Sequence, residues 1–172
     1  MDFEQEQNYW LQKLSGNLVV TSLPLDQHRP AHAVTNKERF TFTLDAGTET
    51  RLRKLTADNE SLLFVTFIMA FNVCLFKYTG NEDIIIGTTT YYSASMNRLL
   101  ALRTRVTSDL TVRQLLVEVK DTLAEAYAHQ KFSFERLIEL LNVEHLPYRM
   151  PLFDLMVVLE NGQHRLRQAF KE

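Results

Sequence analysis

The sequence predicts an α/β (α+β) fold in a single domain, residues 1–172, with one mixed sheet and helices packed on it. Three observations carry that expectation. The run DIIIGTTT (83–90) is β-branched almost throughout, as in a strand covered on both faces. From Thr111 onward, Val112, Leu115, Leu116, Val119, Leu123 and Ala126/Tyr127 fall on one helical stripe. Segments of these two kinds then interleave along the chain, which is the pattern of helices laid on a sheet.

In order, residues 2–15 place Phe3, Tyr9/Trp10 and Leu14 on a roughly helical spacing, with Gly16 as a stop. Residues 17–36 contain Pro24, Pro30, His28 and His32 and read as an extended surface connector. Phe40, Phe42 and Leu44 alternate with Arg39, Thr41 and Thr43, the signature of a half-buried strand. Asp45 is placed to cap a helix to about Asp58, with Leu52 and Leu55 inward.

Ser61 is the expected cap of the next helix, which is apolar nearly all round and should be the central buried helix, ending at Gly80. Strands follow at 83–90 and 99–106. The long helix from Thr111 should end near Gln130, and Ser133 should cap a shorter one with Phe134, Leu137, Ile138 and Leu141 inward. A last apolar strand is expected over 152–159, and a terminal helix over 164–171.

Composition excludes several classes. Hydrophobic residues make up 45% of the chain, enough for a core, so disorder is not expected. Lys+Arg number 19 against Asp+Glu 21, a net charge of −2 that gathers neither nucleic acid nor anionic lipid. The basic cluster His164, Arg165, Arg167 and Lys171 reads as a solvated helix face. No run approaches ~18 uninterrupted apolar residues and no apolar signal core follows Met1, so a cytoplasmic location without membrane contact is expected. Cys74 has no cysteine to pair with and is expected to be a buried, inert thiol.

Chemical motifs are sparse. His28 and His32 have a metal-ligand spacing, but Pro30 lies between them and no Cys or Glu completes a site, so no metal is expected. Five glycines form neither a phosphate loop nor a nucleophile elbow. Glu118, Asp121 and Glu125 sit on the polar face of their helix. His129 closes that helix, where an imidazole meets the negative end of the helix dipole.

Five stretches, taken in order, carry a resemblance. They are Tyr9-Trp10-Leu11 with Leu14 and Gly16; Leu23-Pro24-Leu25-Asp26 with Arg29-Pro30; Tyr78 through Thr88; AYAHQKFSFERLIELL (126–141); and Tyr148 through Asn161. In this order they resemble the C-terminal lobe of a nonribosomal peptide synthetase condensation domain, in truncated form.

The resemblance implies one lobe of a chloramphenicol acetyltransferase-like fold, in which two lobes form a V around a tunnel. It implies an amide-forming acyltransferase family that joins carrier-bound acyl and amine groups. It also implies binding positions at Asn97, His129, Gln130, Arg149, Asp154 and Asn161, and no cofactor beyond the phosphopantetheine of partner carrier proteins. The partners it implies are the carrier, adenylation or ketosynthase domains of a megasynthase, together with a possible homodimer.

The family's H-H-x-x-x-D-G motif is absent from this chain, whose histidines are 28, 32, 129, 145 and 164, and the loop 89–98 is short. The expectation is therefore a non-catalytic structural, docking or dimerisation module of a peptide synthetase or hybrid polyketide synthase, with no catalytic residue. The alternative is the C-terminal lobe of an active condensation domain.

Overall fold

The structure is a computed structural model that describes residues 3–19, 21–25, 38–90, 99–144 and 149–159. Five helices and two strands are found there: α1 (Phe3–Lys13), α2 (Ala46–Thr56), α3 (Glu60–Thr79), β1 (Asp83–Thr89), β2 (Leu99–Arg105), α4 (Val112–Ala128) and α5 (Phe134–Leu141).

β1 and β2 pair antiparallel, with Asp83 opposite Arg105 and Thr89 opposite Leu99. Ile84, Ile85 and Ile86 are each at most 1% exposed, so this strand is covered on both faces as its composition requires. Each such side chain contributes about 1.5–3 kcal/mol of burial.

The other edge of β1 meets the segment around Met156 in parallel, through an isolated bridge between Gly87 and Met156, and that segment in turn meets Thr21 in parallel through a bridge at Phe153. Gly87 N donates to Leu155 O (2.9 Å) and Val157 N donates to Gly87 O (3.0 Å). Pairing is thus antiparallel on one side and parallel on the other, a mixed sheet. The expected strand 152–159 is realised only as these bridges. Its start is bent, because Leu152 has a φ of 74°, a left-handed conformation that suits few side chains.

α3 and α4 pack against each other and onto the sheet. The N-terminus of α4 is a capping box in which Thr111 Oγ1 accepts from Gln114 N while Thr111 N donates to Gln114 Oε1. Its stripe faces inward through Leu115, Val119, Leu123 and Tyr127, whereas Val112 is exposed. Ser133 caps α5, which buries Phe134, Leu137 and Ile138. Asp45 caps α2 and Gly80 ends α3 with a φ of 71°.

Five expectations are corrected. Residues 38–45 form no strand, and Phe40 and Phe42 are 87% and 72% exposed; alternation makes a strand only when a neighbouring strand accepts its hydrogen bonds. Leu55 points outward at 64% exposure, and Thr56 is the residue that α2 buries. The cap of α3 is Asn59, whose side chain accepts from Leu62 N, and not Ser61.

α3 is also only half covered. Phe64, Val65, Ile68 and Leu75 face the core, while Phe67, Phe71, Cys74 and Tyr78 lie exposed on the opposite stripe. Cys74 is therefore a surface thiol and not a buried one. α3 is the one described helix long and apolar enough to cross a membrane by length and composition, and here it serves as the core helix. The connector 17–36 falls largely outside the described residues, and the terminal helix over 164–171, like His28 and His32, falls outside entirely.

Candidate functional site

The expected binding residues separate into two pairs in this lobe. His129 is the C-cap residue of α4, its N–H donating to Glu125 O at 3.1 Å. Its imidazole does not reach back to the helix carbonyls. Nδ1 lies 3.3 Å from Oε2 of Glu6, and the Tyr9 ring stacks on the imidazole with centroids 3.9 Å apart and an interplanar angle of 13°. Trp10 Nε1 donates to His129 O at 2.9 Å. Residue 129 is thus gripped by α1 through three side chains.

The Tyr9 hydroxyl, on a half-buried ring and 3.5 Å from Glu125 Oε2, is pushed well above the ordinary phenol range, first by partial burial and then by the Glu125 charge. Gln130 is buried and its Nε2 donates to Tyr127 O at 2.7 Å, which closes the turn leading to α5.

Arg149 and Asp154 form the other pair. Nε and Nη2 of the guanidinium donate to the carboxylate at 2.8–3.1 Å, a forked pair across a five-residue turn. Asp154 N also donates to Thr21 O at 3.2 Å, which ties that turn to the start of the connector. The turn delivers Leu152 and Phe153 into the core, and the Phe153 ring packs on Phe134 at 5.7 Å. Asn97 and Asn161 lie outside the described residues.

None of these residues lines the groove beside α1. That groove, about 530 Å³, runs between the end of α1, β2 and α4, and is walled by Lys13, Arg103, Arg113, Glu118, Asp121 and Glu125. Arg103 crosses it, donating to both oxygens of Asp83 (2.8 and 2.6 Å) and to Ser15 O (2.6 Å). The Asp83 contact keeps the guanidinium firmly protonated.

Three basic and three acidic side chains wall it, so the groove has no sign preference. No cluster of metal-ligating side chains is found among the described residues. The sequence pattern does not single out Glu6, Trp10 or Arg103 as site residues. A signal exists for Glu6, which lies four residues before Trp10 and eight before Leu14, on the stripe that α1 buries.

The sequence matches the family described as Condensation domain over residues 1–172. This chain belongs to the condensation-domain family. It is 38% identical over 170 residues to a linear gramicidin synthase of Brevibacillus parabrevis, covering 92% of this chain and 3% of that protein. Tyrocidine synthase 2 of Brevibacillus parabrevis is 34% identical over 170 residues, covering 94% of this chain and 5% of that protein.

Two solved structures place the condensation fold beside this one. The X-domain from teicoplanin biosynthesis superposes with a TM-score of 0.79 at 23% identity, covering 91% of this chain and 37% of that one. Holo-AB3403, a four-domain nonribosomal peptide synthetase bound to AMP and glycine, gives 0.81 at 23% identity, covering 94% of this chain and 13% of that one. The described residues are therefore an α/β lobe of the chloramphenicol acetyltransferase-like condensation fold, and the chain spans only a small part of its curated relatives.

Proposed function

We propose that this condensation-type lobe is a non-catalytic docking module of a nonribosomal peptide synthetase or hybrid polyketide synthase. One contrast carries the reading. The described histidine is committed to internal contacts, while an apolar helix face is left open. His129, the histidine within the described residues, is stacked under Tyr9 and set against Glu6, and no two histidines of the chain are adjacent. A general base must reach the proton it removes, and among the described residues no histidine stands free to do so.

The open stripe Phe67, Phe71, Cys74 and Tyr78 on α3 is the surface a partner would cover. A neighbouring domain of the same assembly line is the expected partner, and any phosphopantetheine would be that of the carrier protein. A fold relative supports this reading: the teicoplanin X-domain was solved as a complex with OxyB, and that structure superposes here with a TM-score of 0.74.

A second reading is favoured by the identity of 38% to a segment of a linear gramicidin synthase. Under it, the lobe forms one wall of a working condensation tunnel that another segment completes. One assay separates the two. Carrier-bound donor and acceptor thioesters are incubated with this chain, alone and together with a condensation N-terminal lobe, and the amide product is measured by mass spectrometry. The docking reading expects no product in either case. Product with the added lobe establishes the second reading, and product from the chain alone overturns the first outright.

A further inference from the structure

α1 is seated on the corner between α4 and α5 around a buried acid. Glu6 is 4% exposed, and neither of its carboxylate oxygens has a hydrogen-bond donor among the described residues. His129 Nδ1, 3.3 Å from Oε2, is likewise without a hydrogen bond. A carboxylate withdrawn from water is costly unless a charge of opposite sign or a donor stands beside it. The imidazole is the group placed to supply that charge, and it does so only while protonated.

The stacked Tyr9 ring holds the imidazole and the Trp10 bond to His129 O holds the backbone behind it, so a charge change there is felt by α1. We propose that the Glu6–His129 pair is a pH-sensitive latch that locks α1 onto the α4–α5 corner when the imidazole is protonated and loosens it when the imidazole is neutral.

The surrounding groups do not duplicate the change. From α1, Tyr9 stays neutral through the imidazole range. Lys13 of α1 pairs with Glu125 of α4 at 3.0 Å, a contact 27% and 51% exposed at its two side chains. It persists on both sides of the transition as a second, weaker tether. α5 turns Phe134, Leu137 and Ile138 inward, while its Glu135, Arg136 and Glu139 are exposed, with Arg136 and Glu139 paired at 2.7 Å. From β2, Arg103 is held by Asp83. The stabilisation from the latch is therefore present while the imidazole is protonated and is lost as rising pH neutralises it.

The chain has one tryptophan, Trp10, which is 2% exposed in the seat itself, so its fluorescence reads the latch directly. Emission and acrylamide quenching of the intact chain are followed across the imidazole range, with amide exchange of residues 3–13 measured beside that of α4.

The expected result is a single transition to redder, more quenchable emission as pH rises. Protection of α1 relative to α4 should fall by about tenfold, on the order of one charge-assisted contact. Glu6→Gln should make the profile flat, and His129→Gln should leave it flat and loose. A flat profile in the parent chain overturns the proposal, as does an unchanged transition in Glu6→Gln. If either variant fails to fold, the exchange data on the parent chain decide: loss confined to α1 supports the latch, and a uniform loss overturns it.

Discussion

Gly87 of β1 lies directly beneath the ring of Phe153, so close that a methyl group on Gly87 would overlap the Cε2, Cζ and Cδ2 atoms. The ring has nowhere to go, since Phe153 is 1% exposed and packs on Phe134. The glycine is needed here for close approach and not for an unusual φ. It also accepts and donates the backbone bonds that hold residues 155 and 157 to the sheet. Gly87→Ala should destabilise the chain by about 1–3 kcal/mol through overpacking. Phe153→Ala should cost about 3–5 kcal/mol through the cavity it leaves. The double variant should cost less than the sum, because the smaller side chain admits the methyl group. Denaturant midpoints measure all three, and full additivity would contradict the packing described.

The Arg149–Asp154 pair holds the turn that delivers Phe153. Its side chains are 22% and 9% exposed, so removing Arg149 takes the forked ion pair from a largely dehydrated carboxylate. Arg149→Ala should cost about 2–3 kcal/mol, and Arg149→Lys should recover only part of that, because an ammonium cannot bridge both carboxylate oxygens. Equal stability of the lysine and arginine forms would show that the fork contributes nothing.

What the sequence disclosed follows from how local each signal is. The Thr111–Gln114 capping box and the stripe of α4 are set within one helix, and both are found where the spacing puts them. The isoleucines of β1 announce burial by composition alone. The readings that failed each depended on a neighbour. Phe40 and Phe42 alternate correctly, yet no described strand pairs with them. α3 is apolar on every side, and a helix of that kind reads identically whether its second face meets core or an interface, so its pattern gives no sign that Cys74 is exposed. The seat of α1 is the least legible feature. Trp10 and His129 are 119 residues apart, and nothing in the local pattern around Glu6 names the imidazole that faces it.

Asp45 provides a pH-dependent prediction with a defined sign. Hydrogen bonds from the Thr48 hydroxyl and backbone N–H, and from Gly47 N, hold its carboxyl below the ordinary carboxylate range. A depressed group of this kind stabilises the folded state above the unfolded carboxylate value, and that contribution is lost as pH falls through the folded one. The first turn of α2 should therefore fray on acidification, ahead of α4, whose cap is a hydroxyl. Residue-resolved NMR shifts of Gly47 and Thr48, followed on acidification through the carboxylate range, test this directly. Asp45→Asn should keep the cap and abolish the pH dependence. Fraying of α2 that persists in the asparagine form would assign the effect elsewhere.

The uncovered face of α3 leads to the last prediction. Phe67, Phe71 and Tyr78, 38%, 45% and 69% exposed, repeat at spacings of four and seven residues with Cys74 between the last two. That is the stripe by which one helix seats another, and left open in water it favours association. The isolated chain should therefore self-associate at tens of micromolar in sedimentation velocity. Phe71→Glu should shift it toward monomer with little loss of fold, since Phe71 is half exposed. Cys74 supplies an independent readout on the same face: its alkylation should slow as the parent chain is concentrated and stay fast in Phe71→Glu. When a purified flanking domain of the assembly line is added, it should compete with self-association and protect Cys74 in its turn. A parent chain that remains monomeric, with Cys74 alkylated at one rate at every concentration and no protection by flanking domains, would show that this face needs no cover and would remove the main support for a docking role.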